Sequence, residues 1–477
     1  MAQNDRFYVD IMSMNEEVTG SCNLVIVKFP NRETIRFVVD CGLFQEMEYE
    51  QLNSVLPFNA ENIDFALVTH VHVDHIGRLP YMVKKGFFKE IYATEATCKL
   101  LPLALNDSFK VLNSLAKRKN IKSLYSDANV EETLKLLKPC RYDETIKVNE
   151  NIKVTFFNNG HLVGAALILI QISYPGYEDI NLLFTGDYNN KNMFFDVKPI
   201  PKWVLELPLT IVQESTYGDM DTVNGQECFK NNIRKCMQEE GTALVLVFSL
   251  GRAQEILYEL KIMQKTGELD PEILIYFDGK LAHKYTNLFI NDELGIKPEM
   301  KDFLPENLIF VDKIIRNNLL EDTSKKIILT TSGMGSYGPA QTYIPEYITR
   351  KKALLQFTGY TAEGTLGNRL KSAKQGEMIE VGGLIANKRA NVEYTTEYSA
   401  HAKANEMIEF LKKFKNSKLI LVNHGEMATK NIFAERIAME VNVKRVGLLG
   451  RQYFFRVNPY GLVKTLSTKF EWNISNC

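Results

Sequence analysis

Residues 69–80 read THVHVDHIGRLP, and this stretch decides how the rest of the chain is interpreted. It places His70, His72, Asp74 and His75 within six positions of a chain that has seven histidines in 477 residues. The apolar run before it is typical of a strand, so His70 and His72 project to one side and the other two follow where the backbone can turn. Imidazoles with one carboxylate suit Zn²⁺, and two pairs of ligands suit two adjacent ions better than one. Histidines that are merely hydrogen-bonded in the core or at the surface are the less favoured interpretation.

Length and composition limit what this cluster can mean. At about 150 residues per domain, the chain predicts two or three units, one of which could be inserted into another. The net charge is −1, so a polyanionic substrate would have to be attracted by a local field. The start, MAQNDRFYVDIMSM, lacks a basic region followed by an apolar stretch, and no run reaches the roughly 18 apolar residues of a membrane span. We therefore expect a cytoplasmic protein without a membrane partner.

Apolar, β-branched runs predict two kinds of sheet. Strands with little helix between them are predicted first, at 24–29, 35–40, 65–70, 152–157, 165–172 and 180–185, and favour a sheet-on-sheet core. Further strands at 242–248, 272–277, 326–331 and 353–358 alternate with helical patterns such as RAQEILYELKIMQ, which predicts a parallel sheet. The absence of a Pro/Ser-rich linker favours an inserted second unit.

The remaining histidines and two aspartates extend the candidate site. His161, His401 and His424 lie in loops after apolar strands, whereas His283 does not and is interpreted as structural or incidental. Asp40 and Asp187 both end strands, although an aspartate in that position is often only a turn or helix cap.

These motifs resemble a known family. VVDCGLF, THVHVDHIGRLP, GHLVGAA and FTGDYN are similar to the successive motifs of the metallo-β-lactamase fold, and QESTYGD, SAHA and HGE resemble the three further motifs of its β-CASP nucleases. The resemblance continues in FSLGRAQE, TSGMGSYGPA and GYTAEGTLGNRL, and it is closest to bacterial and archaeal ribonucleases related to the eukaryotic pre-mRNA 3′-end cleavage subunit.

The resemblance implies a fold of class α/β: a metallo-β-lactamase αββα sandwich with an inserted Rossmann-like β-CASP domain. It implies a metallo-β-lactamase domain in two parts, 1–215 and 396–477, with the β-CASP domain at 216–395. It further implies two Zn²⁺ per chain, one held by His70, His72 and His161 and the other by Asp74, His75 and His424, with Asp187 bridging. Asp40 would orient ligands without binding metal.

The chemistry expected of such a site can be argued independently. Phosphodiester hydrolysis needs a nucleophile and charge relief, which two metal ions supply, and a proton for the leaving alkoxide. His401 is our candidate for that acid, with Glu214 orienting it at the scissile phosphate; a structural histidine near a helix start is the alternative. Asp187 is the third residue, after His401 and Glu214, that we expect to take part in catalysis. Small-residue loops could offer Ser332, Gly333, Thr365 and Ser399 to substrate phosphates, although such loops are often only turns.

Motif details bear on the substrate. The DNA-processing members of the resembled family usually replace the histidine of HGE by an aliphatic residue, so the retained His424 favours single-stranded RNA. Three departures lie where RNA would be gripped: Met220-Asp221-Thr222 after the ESTYGD motif, Lys403 in place of an aspartate after SAHA, and Gly279-Lys280 in the DGKLA segment. They leave the balance of endonuclease and 5′–3′ exonuclease activity open, as the sequence also leaves open a homodimer.

Three functions therefore compete. The favoured one is a zinc-dependent ribonuclease in RNA processing or decay. A hydrolase of another substrate, DNA or a small ester, thioester or lactam, would use the same metal core. An inactive scaffold subunit of an RNA-processing complex is disfavoured because all seven proposed ligands are present.

Overall fold

The structure is a computed structural model that describes residues 7–223, 227–359, 361 and 364–467. Among these residues, packing separates two units. The first draws on Met1–Asn192, Asp196–Thr222 and His401–Cys477, and the second on Met193–Phe195 and Val223–Ala400. The predicted domain boundaries at 215/216 and 395/396 stay a prediction, and the packing boundaries lie a few residues farther along the chain in both cases.

The first unit contains an eight-stranded sheet in the order β23-β22-β1-β2-β3-β4-β5-β6. Its strands are β1 (Tyr8–Ser13), β2 (Asn23–Lys28), β3 (Thr34–Val39), β4 (Phe65–Leu67), β5 (Ile91–Thr94), β6 (Leu137–Cys140), β22 (Tyr453–Asn458) and β23 (Gly461–Ser467). Pairing is antiparallel from β23 to β3 and parallel from β3 to β6. The carboxyl ends of β3 and β4 therefore meet at one edge of the sheet.

A seven-stranded sheet completes the first unit, in the order β21-β20-β11-β10-β9-β8-β7. Its strands are β7 (Thr145–Lys147), β8 (Ile152–Asn158), β9 (Ala166–Ile172), β10 (Ile180–Phe184), β11 (Leu209–Glu214), β20 (Leu419–Asn423) and β21 (Val446–Leu448). Strand β11 precedes the second unit in the chain and β20 follows it, yet the two pair in parallel from Thr210↔Leu419 to Glu214↔Asn423. The second unit is thus an insertion between neighbouring strands of one sheet.

Two apolar layers explain why these sheets stack. Phe156, Ile168 and Ile170 face the first sheet, whereas Leu167 and Leu169, their neighbours along β9, face the other side. This alternation of buried residues is that of a sheet covered on both faces. The outer layer is formed by α12 (Ala404–Leu411) and α13 (Met427–Glu440), and α3 (Glu95–Lys119) packs on β5 and β6 of the first sheet. The predicted αββα sandwich is confirmed.

The second unit is built on a six-stranded sheet in the order β14-β13-β15-β12-β16-β19, with every pair parallel. Its strands are β12 (Thr242–Leu246), β13 (Ile275–Asp278), β14 (Leu308–Phe310), β15 (Lys326–Thr330), β16 (Ala353–Phe357) and β19 (Asn391–Tyr394), and an antiparallel hairpin is formed by β17 (Met378–Val381) and β18 (Leu384–Asn387). Parallel strands joined by helices are the arrangement expected of a Rossmann-like domain, so this prediction is also confirmed.

The helices not yet named are short or lie between these strands. They are α1 (Val73–Ile76), α2 (Leu79–Lys84), α4 (Asp127–Lys135), α5 (Lys202–Leu205), α6 (Cys228–Gln238), α7 (Arg252–Lys265), α8 (Lys280–Ile290), α9 (Lys313–Glu321), α10 (Ala340–Tyr347) and α11 (Leu366–Ser372). Across the described ranges, no helix combines the length and apolar character that crossing a membrane requires.

Candidate metal centre and the groups around it

The THVHVDH segment begins where β4 ends and turns into the short helix α1. His70 and His72 lie in the connecting loop, and Asp74 and His75 belong to the single turn of α1. His70 and His75 are almost fully buried. The predicted arrangement of two histidines past a strand and two ligands at a turn is therefore what the chain adopts, although β4 ends at Leu67, three residues earlier than the predicted strand.

A first group of ligand-type atoms is formed by His70, His72, His161 and Asp187, which lie within 4.8 Å of one another. The Nδ1 atom of His72 is 3.1 Å from Nε2 of both His70 and His161. The Oδ2 atom of Asp187 is 3.5 Å from His70 Nε2 and 3.6 Å from His161 Nε2. Three imidazole nitrogens and one carboxylate oxygen therefore converge on one point.

A second group uses the other carboxylate oxygen of the same aspartate. Asp187 Oδ1 is 3.2 Å from His75 Nε2 and 3.3 Å from His424 Nε2, and these two nitrogens are 3.1 Å apart. Asp74 Oδ2 lies 3.7 Å from each of them. The seven residues named from the sequence as metal ligands thus form two adjacent groups that share Asp187.

The unsatisfied polar atoms of these residues indicate that the two groups suit metal ions. Asp187 Oδ1 is buried and accepts no hydrogen bond. A buried carboxylate oxygen without a hydrogen-bond donor is costly, and so are imidazole nitrogens that present their lone pairs to one another. A cation between the facing atoms would satisfy both sets at once, and nitrogen with carboxylate oxygen is a donor set for transition-metal ions.

The charge states of His70, His72 and Asp187 point the same way, whereas His75 differs: although burial opposes protonation, the Asp187 and Asp40 carboxylates raise the pKa of His75 well above its usual range. Burial, followed by the neighbouring His75 charge, holds the pKa of His70 well below its usual range. Burial also lowers the pKa of His72 to about 4. Although burial opposes its ionisation, the His424 and His75 imidazoles beside Asp187 hold the pKa of that carboxyl well below its usual range. Neutral imidazoles and an ionised carboxylate are the forms that bind metal.

Asp40 and two threonines contact the Nδ1 atoms of histidines in the two ligand groups. Asp40 Oδ2 accepts hydrogen bonds from His75 Nδ1 and Thr69 Oγ1, both at 2.8 Å, and Asp40 Oδ1 accepts from the Thr69 backbone N–H at 2.8 Å. The Thr216 hydroxyl lies 3.2 Å from His424 Nδ1. With Nδ1 engaged, Nε2 of His75 and of His424 presents its lone pair to the cluster. The two threonines were missed from the sequence, although each stands within THVH or ESTYGD.

His401 is hydrogen-bonded to Glu214 beside the two ligand groups. Its Nδ1 atom is 3.0 Å and 3.1 Å from the two Glu214 carboxylate oxygens, and its Nε2 atom is 3.8 Å from Asp187 Oδ2. Glu214 is fixed in turn by the backbone N–H groups of Tyr188 (2.6 Å) and Thr216 (3.1 Å). Although burial opposes protonation, the Glu214 charge raises the pKa of His401. The ring therefore faces the two ligand-type groups and does not cap α12, which begins at Ala404.

The fold explains why distant residues meet here. Asp187, Glu214 and His424 follow or end β10, β11 and β20, which pair in parallel, so their side chains reach one edge of the second sheet. Asp40 and His70 follow β3 and β4 at the corresponding edge of the first sheet. Loops at the ends of rigid strands are a usual place for functional groups.

The four residues proposed to bind phosphate lie in the second unit, and their role stays a prediction. Ser332 and Gly333 follow β15, and Ser399 follows β19. Thr365 begins α11, where its hydroxyl accepts from the Asn368 N–H at 3.3 Å. The Ser336 hydroxyl accepts from the Leu366 N–H at 3.2 Å, which brings the loop after β15 next to Thr365.

His283 behaves as the structural histidine that the sequence indicated. Its Nε2 atom lies 2.7 Å from the Phe277 carbonyl oxygen, and its ring packs against Phe277 and Phe310. It belongs to neither ligand group.

Comparison with known proteins decides the family. A metallo-beta-lactamase superfamily domain model matches residues 27–195, a Beta-Casp domain model matches 253–370, and a Zn-dependent metallo-hydrolase RNA specificity domain model matches 385–446. The chain carries the domains of β-CASP proteins of the metallo-β-lactamase fold. The three matched segments follow one another along the chain in the order that the motifs predict.

Relatives of this β-CASP chain differ in length. It is 28% identical over 447 residues to ribonuclease TTHA0252 of Thermus thermophilus, with 90% of this chain and 96% of the relative covered. It is also 28% identical over 437 residues to transcription termination factor FttA of Methanosarcina mazei, and 26% identical over 437 residues to cleavage and polyadenylation specificity factor 73 of Drosophila melanogaster. The chain spans 66% of the FttA relative and 60% of the Drosophila relative.

Proposed function

We propose that this chain is a zinc-dependent ribonuclease that hydrolyses phosphodiester bonds of single-stranded RNA with two metal ions. One observation carries the proposal: two ligand groups share the two oxygens of Asp187, and His401, supported by Glu214, faces them. The sharing of one carboxylate fits the short metal–metal separation of two-metal phosphoesterases. Retention of all seven ligands argues against an inactive scaffold subunit.

The residues that would hold the metals follow from the two groups. One Zn²⁺ would be bound by His70, His72 and His161, and the second by Asp74, His75 and His424, with Asp187 contributing one oxygen to each. When bound, such ions supply a nucleophile at neutral pH and relieve charge on the phosphoryl oxygens. Asp40 and Thr69 keep His75 in the tautomer whose Nε2 is free to bind.

His401 has the remaining task, which is to supply the proton that the leaving oxygen needs. With Nδ1–H donated to Glu214, the protonated ring directs its Nε2–H toward the cluster, where the 3′ oxygen of the upstream nucleotide would leave. Glu214 stabilises the imidazolium and fixes the ring plane through its bonds to the Tyr188 and Thr216 backbone. Cleavage would then leave a 3′-hydroxyl and a 5′-phosphate.

RNA is favoured over DNA by two kinds of support. An RNA specificity domain model matches residues 385–446, and the relatives include a protein named as a ribonuclease. His424 is present and points into the second ligand group, whereas the DNA-processing members of the family usually carry an aliphatic residue there. End-labelled substrates with a 5′-phosphate or a 5′-hydroxyl would separate endonuclease from 5′–3′ exonuclease activity.

The proposal is tested by removing one ligand that both anchors metal and contacts Asp187. His75→Ala should abolish cleavage of a labelled single-stranded RNA, because it removes one of four donors from the second group. The matched control is His283→Gln, which changes the histidine that lies outside both groups and should cleave at the rate of the unmodified protein.

Zinc measured on the same preparations should fall from two ions per chain to one or fewer in His75→Ala. RNA cleavage at full rate by His75→Ala, or by protein stripped of metal, would contradict the proposal. Turnover of a generic thioester or lactam without RNA cleavage would favour the small-molecule hydrolase.

A further inference from the structure

The segment that carries His401 is hydrogen-bonded to the loop after β10 and to the loop that follows Glu214 at the end of β11. The Ala402 N–H donates to the Tyr188 carbonyl at 2.7 Å, and the Ala404 N–H donates to the Met220 carbonyl at 2.8 Å. Asn405 Oδ1 accepts from the Thr222 N–H at 3.0 Å. These hydrogen bonds place the three segments side by side, but none of them acts on the side chain of His401.

Lys403 adds a side-chain contact to this junction. It lies two residues after His401, and its Nζ atom is 3.2 Å from the centroid of the Tyr217 ring, which belongs to the Glu214 loop. Lys403 is 8% exposed and Tyr217 is 5% exposed, so the ammonium group lies on the ring with little water around it. A desolvated cation over an aromatic face is attracted by the ring quadrupole more strongly than an exposed one.

Tyr217 in turn contacts the histidine. Its ring is 6.1 Å from the His401 ring, at an interplanar angle of 76°, which is an edge-to-face arrangement. The other side of His401 is limited by the His161 ring at 4.7 Å. The imidazole thus lies between a metal-ligand histidine and an aromatic ring whose position Lys403 fixes.

We propose that Lys403 is a positioning residue for His401, acting through the Tyr217 ring to hold the imidazole on Glu214 with Nε2 toward Asp187. The inference rests on the proposed function, in which His401 protonates the leaving oxygen. It assigns a role to a position where this chain departs from the resembled family, whose aspartate could not bind the negative face of an aromatic ring. Lys403 here does not touch the substrate.

The test separates positioning from general damage by the choice of leaving group. The leaving group of natural RNA is an alkoxide, which needs a proton. The leaving group of bis(p-nitrophenyl) phosphate is a stabilised aryl oxide anion, which does not. Lys403→Met keeps the length of the side chain and removes its charge. We expect it to lower kcat on RNA about tenfold with KM unchanged, because small displacements of a catalytic group are costly, and to leave hydrolysis of the aryl ester unchanged.

Two variants control this result. Lys403→Arg keeps a cation over the ring and should restore kcat on RNA to near the unmodified rate. Lys413→Met removes an exposed lysine from the segment after α12 and should behave as the unmodified protein on both substrates.

Tyr217→Leu should reproduce the loss seen in Lys403→Met, and the double variant should lose no more than either single one.

Each contrary outcome has a distinct meaning. Equal RNA cleavage by Lys403→Met and the unmodified protein would overturn the inference and leave the proposed function standing. Parallel loss of aryl ester hydrolysis would overturn it as well, since the damage would then reach the metal centre, and a raised KM would make Lys403 an RNA contact. If the unmodified protein hydrolyses the aryl ester but not RNA, the proposed function fails, and the inference fails with it.

Discussion

Asp40 belongs to neither ligand group, but it holds the imidazole of His75, one of the proposed metal ligands. It has a left-handed backbone (φ 64°), which an aspartate adopts more readily than most residues, and this conformation follows directly on β3. Its carboxylate takes one hydrogen bond from His75 Nδ1 and two from Thr69. The negative charge behind the ring raises the basicity of His75 Nε2 and fixes the tautomer.

Substitution of this residue should weaken the centre without removing a ligand. In Asp40→Asn, a neutral amide oxygen replaces the carboxylate behind His75, so we expect the affinity for zinc to fall about 10–100-fold. Competition with a chelator of known affinity measures the change. Unchanged zinc affinity, with the fold intact by circular dichroism, would contradict the role given to Asp40.

The candidate ligands could be located from sequence because each stands beside a strand end or a sharp turn, and that placement is local; their role as metal ligands stays a prediction. Lys403 shows the opposite case. Its departure from the resembled family is visible in the sequence, but its partner Tyr217 lies in a segment 186 positions earlier in the chain, which only the folded structure brings beside it. The same holds for Thr216 and His424, whose contact depends on strands separated by the whole second unit.

The turn that carries Asp74 and His75 is held in place by the segment after β3 and by Ser21, which precedes β2. Cys41 N–H donates to the His75 carbonyl at 2.8 Å, Leu43 N–H donates to the Val73 carbonyl at 3.0 Å, and Ser21 N–H donates to the Asp74 carbonyl at 2.9 Å. Gly42 lies at the centre of this contact, and a Cβ atom there would overlap the Asp74 carbonyl oxygen. The buried guanidinium of Arg78 donates to the Gly42 carbonyl from the other side.

Gly42→Ala should therefore move the turn, since backbone atoms cannot give way as a flexible side chain can. We expect the free energy of unfolding to fall by about 1–3 kcal/mol and zinc in the second group to be lost before zinc in the first. Zinc content and urea unfolding measure the two effects. Gly450→Ala is the matched control, because a Cβ at that position meets only the Glu16 side chain at 3.6 Å; equal behaviour of the two variants would contradict this account of the turn.

Elements were predicted best where apolar patterning and burial agree. The six strands predicted in the first half correspond to β2, β3, β4, β8, β9 and β10, because each carries a continuous buried run. The hairpin of β17 and β18 was missed, since Leu384 and Ile385 are largely exposed and give no core signal. Strand β23 was missed for the same reason, because most of its residues are exposed or only partly buried.

The insertion of the second unit between β11 and β20 determines how the site is assembled. Glu214 ends the strand that leaves the first unit, and His401 and His424 lie in the segment that returns to it. The parallel pairing of β11 with β20 therefore brings Glu214, the proposed support of His401, next to the segment that carries His424. Sequence order indicated an insertion, but the hydrogen bonds that join the leaving and returning segments required the structure.

For the whole molecule we propose hydrolysis by water at a metal centre, with proton donation to the 3′ oxygen. The most direct measurement is identification, by mass spectrometry, of the ends produced when the zinc-loaded protein cleaves a defined single-stranded RNA. We predict a 5′-phosphate on the downstream fragment and a 3′-hydroxyl on the upstream fragment. A 2′,3′-cyclic phosphate with a 5′-hydroxyl, or an RNA left intact, would contradict the account.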